Sequence, residues 1–226
     1  MRLSIVIPAL NEERTIRQVL ERVAASPYEK EIIVVDDGST DGTAAIAEEF
    51  RARHGVTVLK HPSRQGKGAA LRTGFAAATG DIVLVQDADG EYHPEDYPVL
   101  LHPIVNGWAD AVYGSRFIGT HRVFSLSHRA GNWLVNAVAN VLYDTMLSDL
   151  ETGFKAIRRE ILQGFRLRSN DFRIEVEITA RLFRERRRVY EVPVAYSGRT
   201  YAEGKKLTWR DGVLALVALV EFRFAK

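Results

Sequence analysis

The stretch Gly80–Tyr92, GDIVLVQDADGEY, decides how the rest of this sequence is interpreted. Its apolar run Ile82–Val85 predicts a strand buried on both faces, as in a parallel sheet. The run ends abruptly in acidic residues at alternating positions, Asp87, Asp89 and Glu91. Because open α/β sheets bind their ligands at the carboxyl ends of strands, these acidic residues predict a binding site at that edge.

The carboxylates of Asp87 and Asp89 form the first candidate site. A spacing of two places both side chains on the same side of an extended backbone. Two hard oxygen donors suit Mg²⁺ or Mn²⁺, particularly when a substrate phosphate completes the coordination shell. The alternative is an ordinary acidic turn, because Asp, Gly and the nearby Pro94 are common loop residues.

Two earlier predicted strands also end in acidic residues. Leu3–Ile7 is followed by Glu12, and Ile32–Val35 is followed by Asp36 and Asp37. If the three strands are neighbours in a parallel sheet, their ends form one cleft rich in carboxylates. Helix caps and turns account for single acidic residues, but poorly for acid at all three strand ends.

Strands alternate with helical patterns along the chain. Apolar residues at helical spacing, Ile16, Val19 and Leu20, follow the first strand, and the alternation continues towards the C-terminus. This pattern predicts an α/β fold with a Rossmann-like, mostly parallel sheet and helices on both faces. No linker interrupts the pattern, so we expect one domain over residues 1–226. Further predicted strands are 56–59, 111–113, 153–157 and 189–196, and further predicted helices are 44–50, 69–78, 95–105, 129–147, 172–185 and 208–224.

The composition excludes several classes of protein. With 226 residues, 46% of them hydrophobic, the chain can bury a sizeable core and is not expected to be disordered. A net charge of +2 is too balanced to indicate nucleic-acid binding. The sequence has no Cys, which excludes a disulfide framework and suits a reducing compartment. No apolar run reaches the ~18 residues of a transmembrane helix, and no signal peptide is expected before the first strand.

Six segments together carry a pattern that extends over almost the whole chain. They are SIVIPALNEE (4–13), VVDDGSTDGT (34–43), RQGKGAALRTGFAAATGDIVLVQDADGEYHPED (64–96), GSR (114–116), ETGFKAIRRE (151–160) and SGRTYAEGKKLTW (197–209). As a set they resemble family 2 glycosyltransferases with the GT-A fold, and the later segments resemble the branch that makes polyprenyl- and dolichyl-phosphate sugars. The resemblance implies a nucleotide-sugar-binding half over 1–92 and an acceptor-binding half over 93–226 that ends in an amphipathic helix.

The resemblance implies a nucleotide site at the first two strand ends. Pro8, Leu10 and Glu12 would border the nucleotide base, and Val35 and Asp37 would complete the base and ribose site. Leu10 stands where mannose-transferring members often carry an aromatic residue. The donor is therefore left open between GDP-mannose and UDP-glucose.

The organising acidic stretch would be the metal and diphosphate motif of this family. Asp87, Ala88 and Asp89 would bind the donor diphosphate through Mg²⁺ or Mn²⁺, with Glu91 as a further metal ligand. Asp89 would be essential for catalysis, because the metal stabilises the charge that develops on the leaving nucleotide diphosphate.

Four cationic residues would bind phosphate groups. These phosphate groups belong to the acceptor or the donor: Arg116 and Arg129 would be catalytic, with Arg129 on the acceptor side, and Arg199 and Lys206 would belong to the nucleotide-sugar site. A phosphate acceptor is already anionic near pH 7, so it requires a cationic pocket for in-line attack rather than a strong general base.

The resemblance implies an inverting, metal-dependent transferase that moves mannose or glucose from a nucleotide-diphosphate sugar to a polyprenyl or dolichyl phosphate. One alternative is a GT-A enzyme with a saccharide acceptor, which would need a catalytic base. A second is a non-catalytic module that binds nucleotide sugars. A sugar nucleotidyltransferase is disfavoured, because the Gly-rich loop of that class is absent after the first strand.

Two further segments leave their roles open. Gly66-Lys67-Gly68 is not a P-loop, because Gly68 replaces the required Ser or Thr, and Lys67 either approaches a phosphate or lies on the surface. The apolar helix 208–224 packs on the core or lies on a membrane interface. The interface interpretation places the chain in the cytoplasm, peripheral on the cytoplasmic face of the membrane.

Overall fold

The computed structural model describes residues 1–123, 126–199 and 209–224. The strands in these ranges are β1 (Leu3–Ala9), β2 (Lys30–Asp36), β3 (Thr57–Lys60), β4 (Ile82–Val85), β5 (Ala111–Ser115), β6 (Lys155–Arg158) and β7 (Val189–Pro193). They form one sheet with the order β3-β2-β1-β4-β6-β5-β7. Among these strands only β6 runs antiparallel to its neighbours, which confirms the predicted α/β class with a mostly parallel sheet.

Helices connect most of the strands. They are α1 (Ile16–Ala25), α2 (Thr43–His54), α3 (Lys67–Ala77), α4 (Tyr97–Val105), α5 (Leu126–Tyr143), α6 (Arg159–Gly164), α7 (Arg173–Arg184) and α8 (Trp209–Phe224). The short helix α6 was not predicted, because six residues carry too little periodicity to be recognised. Helix α5 begins three residues before the predicted start and ends four residues before the predicted end.

The two faces of the sheet are buried under separate sets of helices. In β1 the side chains alternate, so that Leu3, Ile5 and Ile7 pack towards α1, α2 and α4, whereas Val6 packs towards α3 and the C-terminal helices. Strand β4 is buried at every position. The predicted coverage of both faces is therefore confirmed.

The strand order brings distant parts of the chain to one edge of the sheet. Strand β1 pairs in parallel with both β2 and β4, so the loops after these three strands lie side by side. Strands β5 and β7 also end at this edge, and the antiparallel β6 begins there. We call this the carboxyl edge of the sheet, and the candidate site lies along it.

Candidate active site

A cavity of about 760 Å³ opens at the carboxyl edge. It draws its walls from the loops after β1, β2, β4, β5 and β7, together with α5, α7 and α8. The predicted site residues that line it are Pro8, Leu10, Glu12, Asp37, Asp87, Ala88, Asp89, Glu91, Arg116 and Arg199.

Two of the predicted residues that the structure describes do not line this cavity. Val35 is fully buried in the core near Gly74 of α3, because its side chain points to the face of the sheet that α3 covers. Arg129 is exposed in the first turn of α5, whereas Gly131 and Asn132 of the same helix do reach the cavity. Lys206 lies outside the described residues.

Arg199 contacts acidic side chains from two different loops. Its Nη1 donates to Glu12 Oε2 at 2.9 Å, and its Nη2 lies 3.3 Å from Asp89 Oδ2. The backbone N–H of Arg199 donates to Glu91 Oε1 at 2.7 Å. Arg199, which was predicted to bind phosphate, is thus held by carboxylates. They place its positive charge beside the predicted diphosphate motif.

Lys67 lies between two carboxylates of the cavity wall, those of Asp87 and Glu175. Its Nζ is 2.8 Å from Asp87 Oδ1 and 3.3 Å from Glu175 Oε1. Burial by itself lowers the pKa of Lys67, but the two carboxylates outweigh it and raise that pKa above its ordinary value. Lys67 is therefore a site residue that orients Asp87, and the surface-lysine interpretation is wrong.

Two glycines allow this arrangement. Gly66 has φ +106°, and a Cβ there would lie 2.3 Å from the carbonyl oxygen of Asn170, so only glycine can precede Lys67. A Cβ on Gly153 would lie 2.3 Å from Asp87 Oδ2 and 2.9 Å from Lys67 Nζ. The backbone before β6 therefore passes close to the Asp87–Lys67 pair because residue 153 has no side chain.

Asp37 holds the loop that precedes α3. Its Oδ1 accepts a hydrogen bond from the backbone N–H of Gln65 at 2.9 Å, and its Oδ2 accepts one from Gly66 at 2.8 Å. His61 Nδ1 lies 2.7 Å from Oδ1. Asp37 lines the cavity as predicted, but most of its hydrogen-bonding capacity is used within the protein.

Arg116 is fixed by a buried carboxylate. Its Nε and Nη2 donate to Asp149 at 2.7 and 2.6 Å, and its guanidinium lies 5.4 Å from the centre of the Tyr196 ring. This bidentate pair defines the orientation of the guanidinium in the cavity wall.

The residues after β4 fit a divalent cation in part. The chain turns at Ala88–Gly90 instead of continuing extended, and Asp87 and Asp89 both line the cavity. Burial, reinforced by the Asp87 and Glu91 carboxylates, raises the pKa of Asp89 to about 7, as expected where negative charge is in excess. Two such carboxylates suit Mg²⁺ or Mn²⁺ when phosphate and water provide the other ligands.

The predicted third ligand is turned away from this pair. Glu91 Oε2 accepts a hydrogen bond from the Tyr196 hydroxyl at 2.5 Å. Over residues 1–123, 126–199 and 209–224, no group of three or more acidic or histidine side chains is arranged to hold a metal ion. A metal ligand role for Glu91 would require this carboxylate to leave Tyr196.

The cavity opens between α5 and α8 onto apolar side chains. Leu134 and Val213 line the opening and are also exposed to solvent. The same two helices carry further exposed apolar residues, among them Trp133, 70% exposed, and Val217, 60% exposed. We call this surface the apolar mouth. In the described part of the chain, no helix is both long and apolar enough to cross a membrane.

Sequence reasoning missed several side chains of this site. Asp149 and Tyr196 carried no local signal, since their importance comes from Arg116 and Glu91, which are distant in the chain. Glu175 did carry a signal, because it interrupts an apolar helical pattern on α7 and is nevertheless buried.

Comparison with known proteins agrees with this geometry. A sequence model described as Glycosyl transferase family 2 matches residues 4–165. Dolichol-phosphate mannosyltransferase of Pyrococcus furiosus is 31% identical over 212 residues, which cover 91% of this chain and 59% of that protein. Polyprenol monophosphomannose synthase of Mycolicibacterium smegmatis is 32% identical over 211 residues, covering 89% and 79%.

A solved structure extends the likeness to the fold. Glucosyl-3-phosphoglycerate synthase from Mycobacterium tuberculosis, in complex with uridine diphosphate, superposes with a TM-score of 0.74 at 25% identity. The match covers 96% of this chain and 79% of that one, and the predicted GT-A fold is confirmed. The family match over 4–165 and the two transferases above 30% identity lead to one conclusion: this chain belongs to glycosyl transferase family 2.

Proposed function

We propose that this chain transfers mannose or glucose from a nucleotide-diphosphate sugar to a polyprenyl or dolichyl phosphate, with inversion at the anomeric carbon and with Mg²⁺ or Mn²⁺. The main observation that supports this proposal is that one cavity has a charged end, at Asp87, Asp89 and Arg199, and an apolar end at the mouth between α5 and α8. A charged donor and a lipid-linked acceptor need these two environments in one site.

The charged end suits the donor. A divalent cation held by Asp87 and Asp89 would supply Lewis-acid stabilisation of the charge on the leaving diphosphate. Lys67 orients Asp87 for this role. Arg199, which already contacts Asp89, would gain phosphate oxygens as partners.

The other end suits a phosphate on an apolar chain. Arg116 is held rigidly by Asp149, so it can position an anionic acceptor at little cost in side-chain entropy. Because the acceptor phosphate is itself the nucleophile, one displacement inverts the anomeric carbon without a strong base. An α-linked donor then yields a β-linked lipid phosphate.

The names of the relatives support the same substrate classes. The two curated relatives are named for dolichol-phosphate and polyprenol phosphate mannosyl transfer, and the structural relative was crystallised with uridine diphosphate. The chain spans 59% of the length of the Pyrococcus relative, so the activity of that whole protein enters here as part of the proposal. Both GDP-mannose and UDP-glucose are candidate donors.

A direct assay separates this proposal from its alternatives. The protein is incubated with Mn²⁺, labelled GDP-mannose or UDP-glucose, and either a polyprenyl phosphate or a soluble saccharide. We expect label in a β-linked lipid phosphate, and loss of that product when EDTA removes the metal. Transfer only to the saccharide would favour the hydroxyl-acceptor enzyme, and binding without any transfer would favour the non-catalytic module.

The acceptor role of Arg129 can be tested separately. Arg129 lies in the first turn of α5, where the positive end of the helix dipole is unfavourable for a cation. An acceptor phosphate at this position would be stabilised by both the Arg129 guanidinium and the helix dipole. Arg129→Ala should raise the KM for polyprenyl phosphate by about 10- to 100-fold, the range for a hydrogen bond to a charged group. Nucleotide affinity, measured by calorimetry, should not change, and Arg53→Ala on the exposed face of α2 serves as the control. Equal losses of nucleotide affinity and acceptor use would contradict the assignment.

We further propose that the apolar mouth rests on a membrane surface. Replacing both Trp133 and Val217 with Ser should weaken binding to phospholipid vesicles by at least about tenfold, because each large apolar side chain contributes ~1.5–3 kcal/mol when buried. Transfer to a water-soluble, short-chain polyprenyl phosphate should be retained. Trp108→Ser replaces an exposed tryptophan in the loop between α4 and β5 and should leave vesicle binding unchanged. Vesicle flotation gives the readout, and unchanged flotation of the double variant would exclude this surface.

A further inference from the structure

Glu175 is a buried carboxylate of the cavity wall. The proposed binding of the donor diphosphate, the acceptor and the metal gives it no role. It lies in the first turn of α7, it is 4% exposed, and it lines the cavity. Its Oε2 is 2.5 Å from Nζ of Lys155. Lys155 is itself fully buried and also donates to the backbone carbonyls of Leu150 and Thr152. The position of Oε2 is therefore determined by the protein.

The second oxygen of Glu175 is Oε1, and it differs from Oε2 in its hydrogen bonding. Within the described residues, the buried Oε1 has no hydrogen-bond partner. Nζ of Lys67 lies 3.3 Å away and forms an ion pair with Oε1, while it donates a hydrogen bond to Asp87 Oδ2 at 3.1 Å. Because an unsatisfied buried acceptor is unfavourable, a ligand that donates a hydrogen bond to Oε1 would be stabilised there.

The position of Oε1 indicates which part of the nucleotide-sugar donor it would contact. Glu175 and Asp87 both lie within 3.3 Å of the same Lys67 ammonium. In the proposed reaction the diphosphate lies at Asp87, and the sugar is joined to it through a single oxygen. The sugar ring must therefore occupy the part of the cavity next to Asp87, where Glu175 forms the wall.

The chemistry of the carboxylate selects among the groups of the donor. Phosphate oxygens are anionic acceptors and would be repelled by Glu175. Sugar hydroxyls are neutral donors, and a carboxylate is a strong acceptor for them. The two flanking ammonium groups of Lys67 and Lys155 balance its charge, so an additional cation is not needed at this position.

We infer that Glu175 Oε1 accepts a hydrogen bond from one hydroxyl of the transferred sugar, which makes Glu175 a specificity-determining residue. This inference rests on the proposed function, since it presupposes a nucleotide-sugar donor in the cavity. It assigns Glu175 to recognition of the sugar, and Asp87 and Asp89 to the diphosphate.

Glu175→Gln tests this assignment with little change of shape. Lys155 can only donate, so it keeps the amide oxygen, and the amide NH₂ then replaces the acceptor at the Oε1 position. The matched control is Glu177→Gln on the same helix, since Glu177 is fully buried but binds the backbone N–H groups of Arg168 and Ser169 instead of lining the cavity. Thermal unfolding of both variants reports on the fold.

Calorimetry with Mn²⁺ compares GDP-mannose with GDP, and UDP-glucose with UDP. Glu175→Gln should weaken binding of the sugar-bearing donor by about 10- to 100-fold, the range for a hydrogen bond to a charged group, and should leave binding of the nucleoside diphosphate unchanged. Glu177→Gln should not distinguish the two ligands. A loss of equal size for donor and nucleoside diphosphate, or no loss for either, would overturn the inference.

Monodeoxy analogues of the bound nucleotide sugar identify the hydroxyl. One analogue should bind the unaltered protein as weakly as the complete donor binds Glu175→Gln, and combining the two changes should cause no further loss. Additive losses for every analogue would exclude a direct contact. If the unaltered protein binds nucleoside diphosphates but no nucleotide sugar, the proposed function fails and this inference fails with it.

Discussion

Asp89→Asn is expected to reduce sugar transfer by at least about 1000-fold while the protein remains folded. The substitution removes an anionic metal ligand at the diphosphate, and a loss of about 4 kcal/mol of transition-state stabilisation corresponds to that factor. Stability should not fall, because Asp89 lies among the like charges of Asp87 and Glu91 and contributes no apolar packing. Arg199 keeps its contacts with Glu12 and Glu91 in this variant.

The measurement is the rate of transfer in Mg²⁺ or Mn²⁺, together with thermal unfolding. Asp81→Asn is the matched control, because Asp81 lies at the opposite end of β4, is exposed, and binds the backbone of Arg2. It should transfer at the normal rate. Near-normal transfer by Asp89→Asn would remove Asp89 from the catalytic site.

Gly153→Ala is expected to lower transfer by about 100-fold, the loss associated with a misplacement of about 1 Å in a catalytic group. The added methyl group would lie 2.3 Å from Asp87 Oδ2 and 2.9 Å from Lys67 Nζ, so both side chains must move. Since the displaced atoms are the ends of side chains and not backbone, the thermal stability should fall much less than the activity.

The experiment pairs the transfer assay with Mn²⁺ affinity measured by electron paramagnetic resonance. Gly153→Ala should weaken Mn²⁺ binding as well as transfer, because Asp87 loses its orientation. Gly164→Ala at the end of α6 is the control, since a Cβ there meets no atom within 4 Å. If Gly153→Ala behaves like this control in both assays, the close packing of residue 153 against Asp87 has no functional role.

The strands and the carboxylates that follow them could be predicted because their signals are local. The apolar run Ile82–Val85 has the same bounds as β4, and a run of this kind can be recognised without knowing which strands it pairs with. Glu12, Asp37 and Asp87 could be assigned to one cleft because parallel strands in a right-handed α/β fold end at the same edge.

The roles of the cationic residues were predicted less completely, because the sequence does not show which acidic side chain an Arg or Lys will contact. Arg199 was predicted to bind phosphate. Its hydrogen bond to Glu12, 187 residues away in the chain, was not predicted. The sequence left Lys67 open between a phosphate contact and the surface, and the fold places it between Asp87 and Glu175. Arg116 was recognised, whereas Asp149, which orients it, was not.

The sequence by itself determined the α/β class, the order of the strands and of the longer helices, and the acidic residues of the carboxyl edge, because hydrophobic periodicity and strand ends are properties of neighbouring residues. Only the tertiary structure decided which charges meet: Arg199 with Glu12, and Lys67 with Asp87 and Glu175. It also decided that residue 153 has no room for a side chain. These contacts depend on separations of a few ångström between chain segments far apart in sequence, and no local pattern encodes such distances.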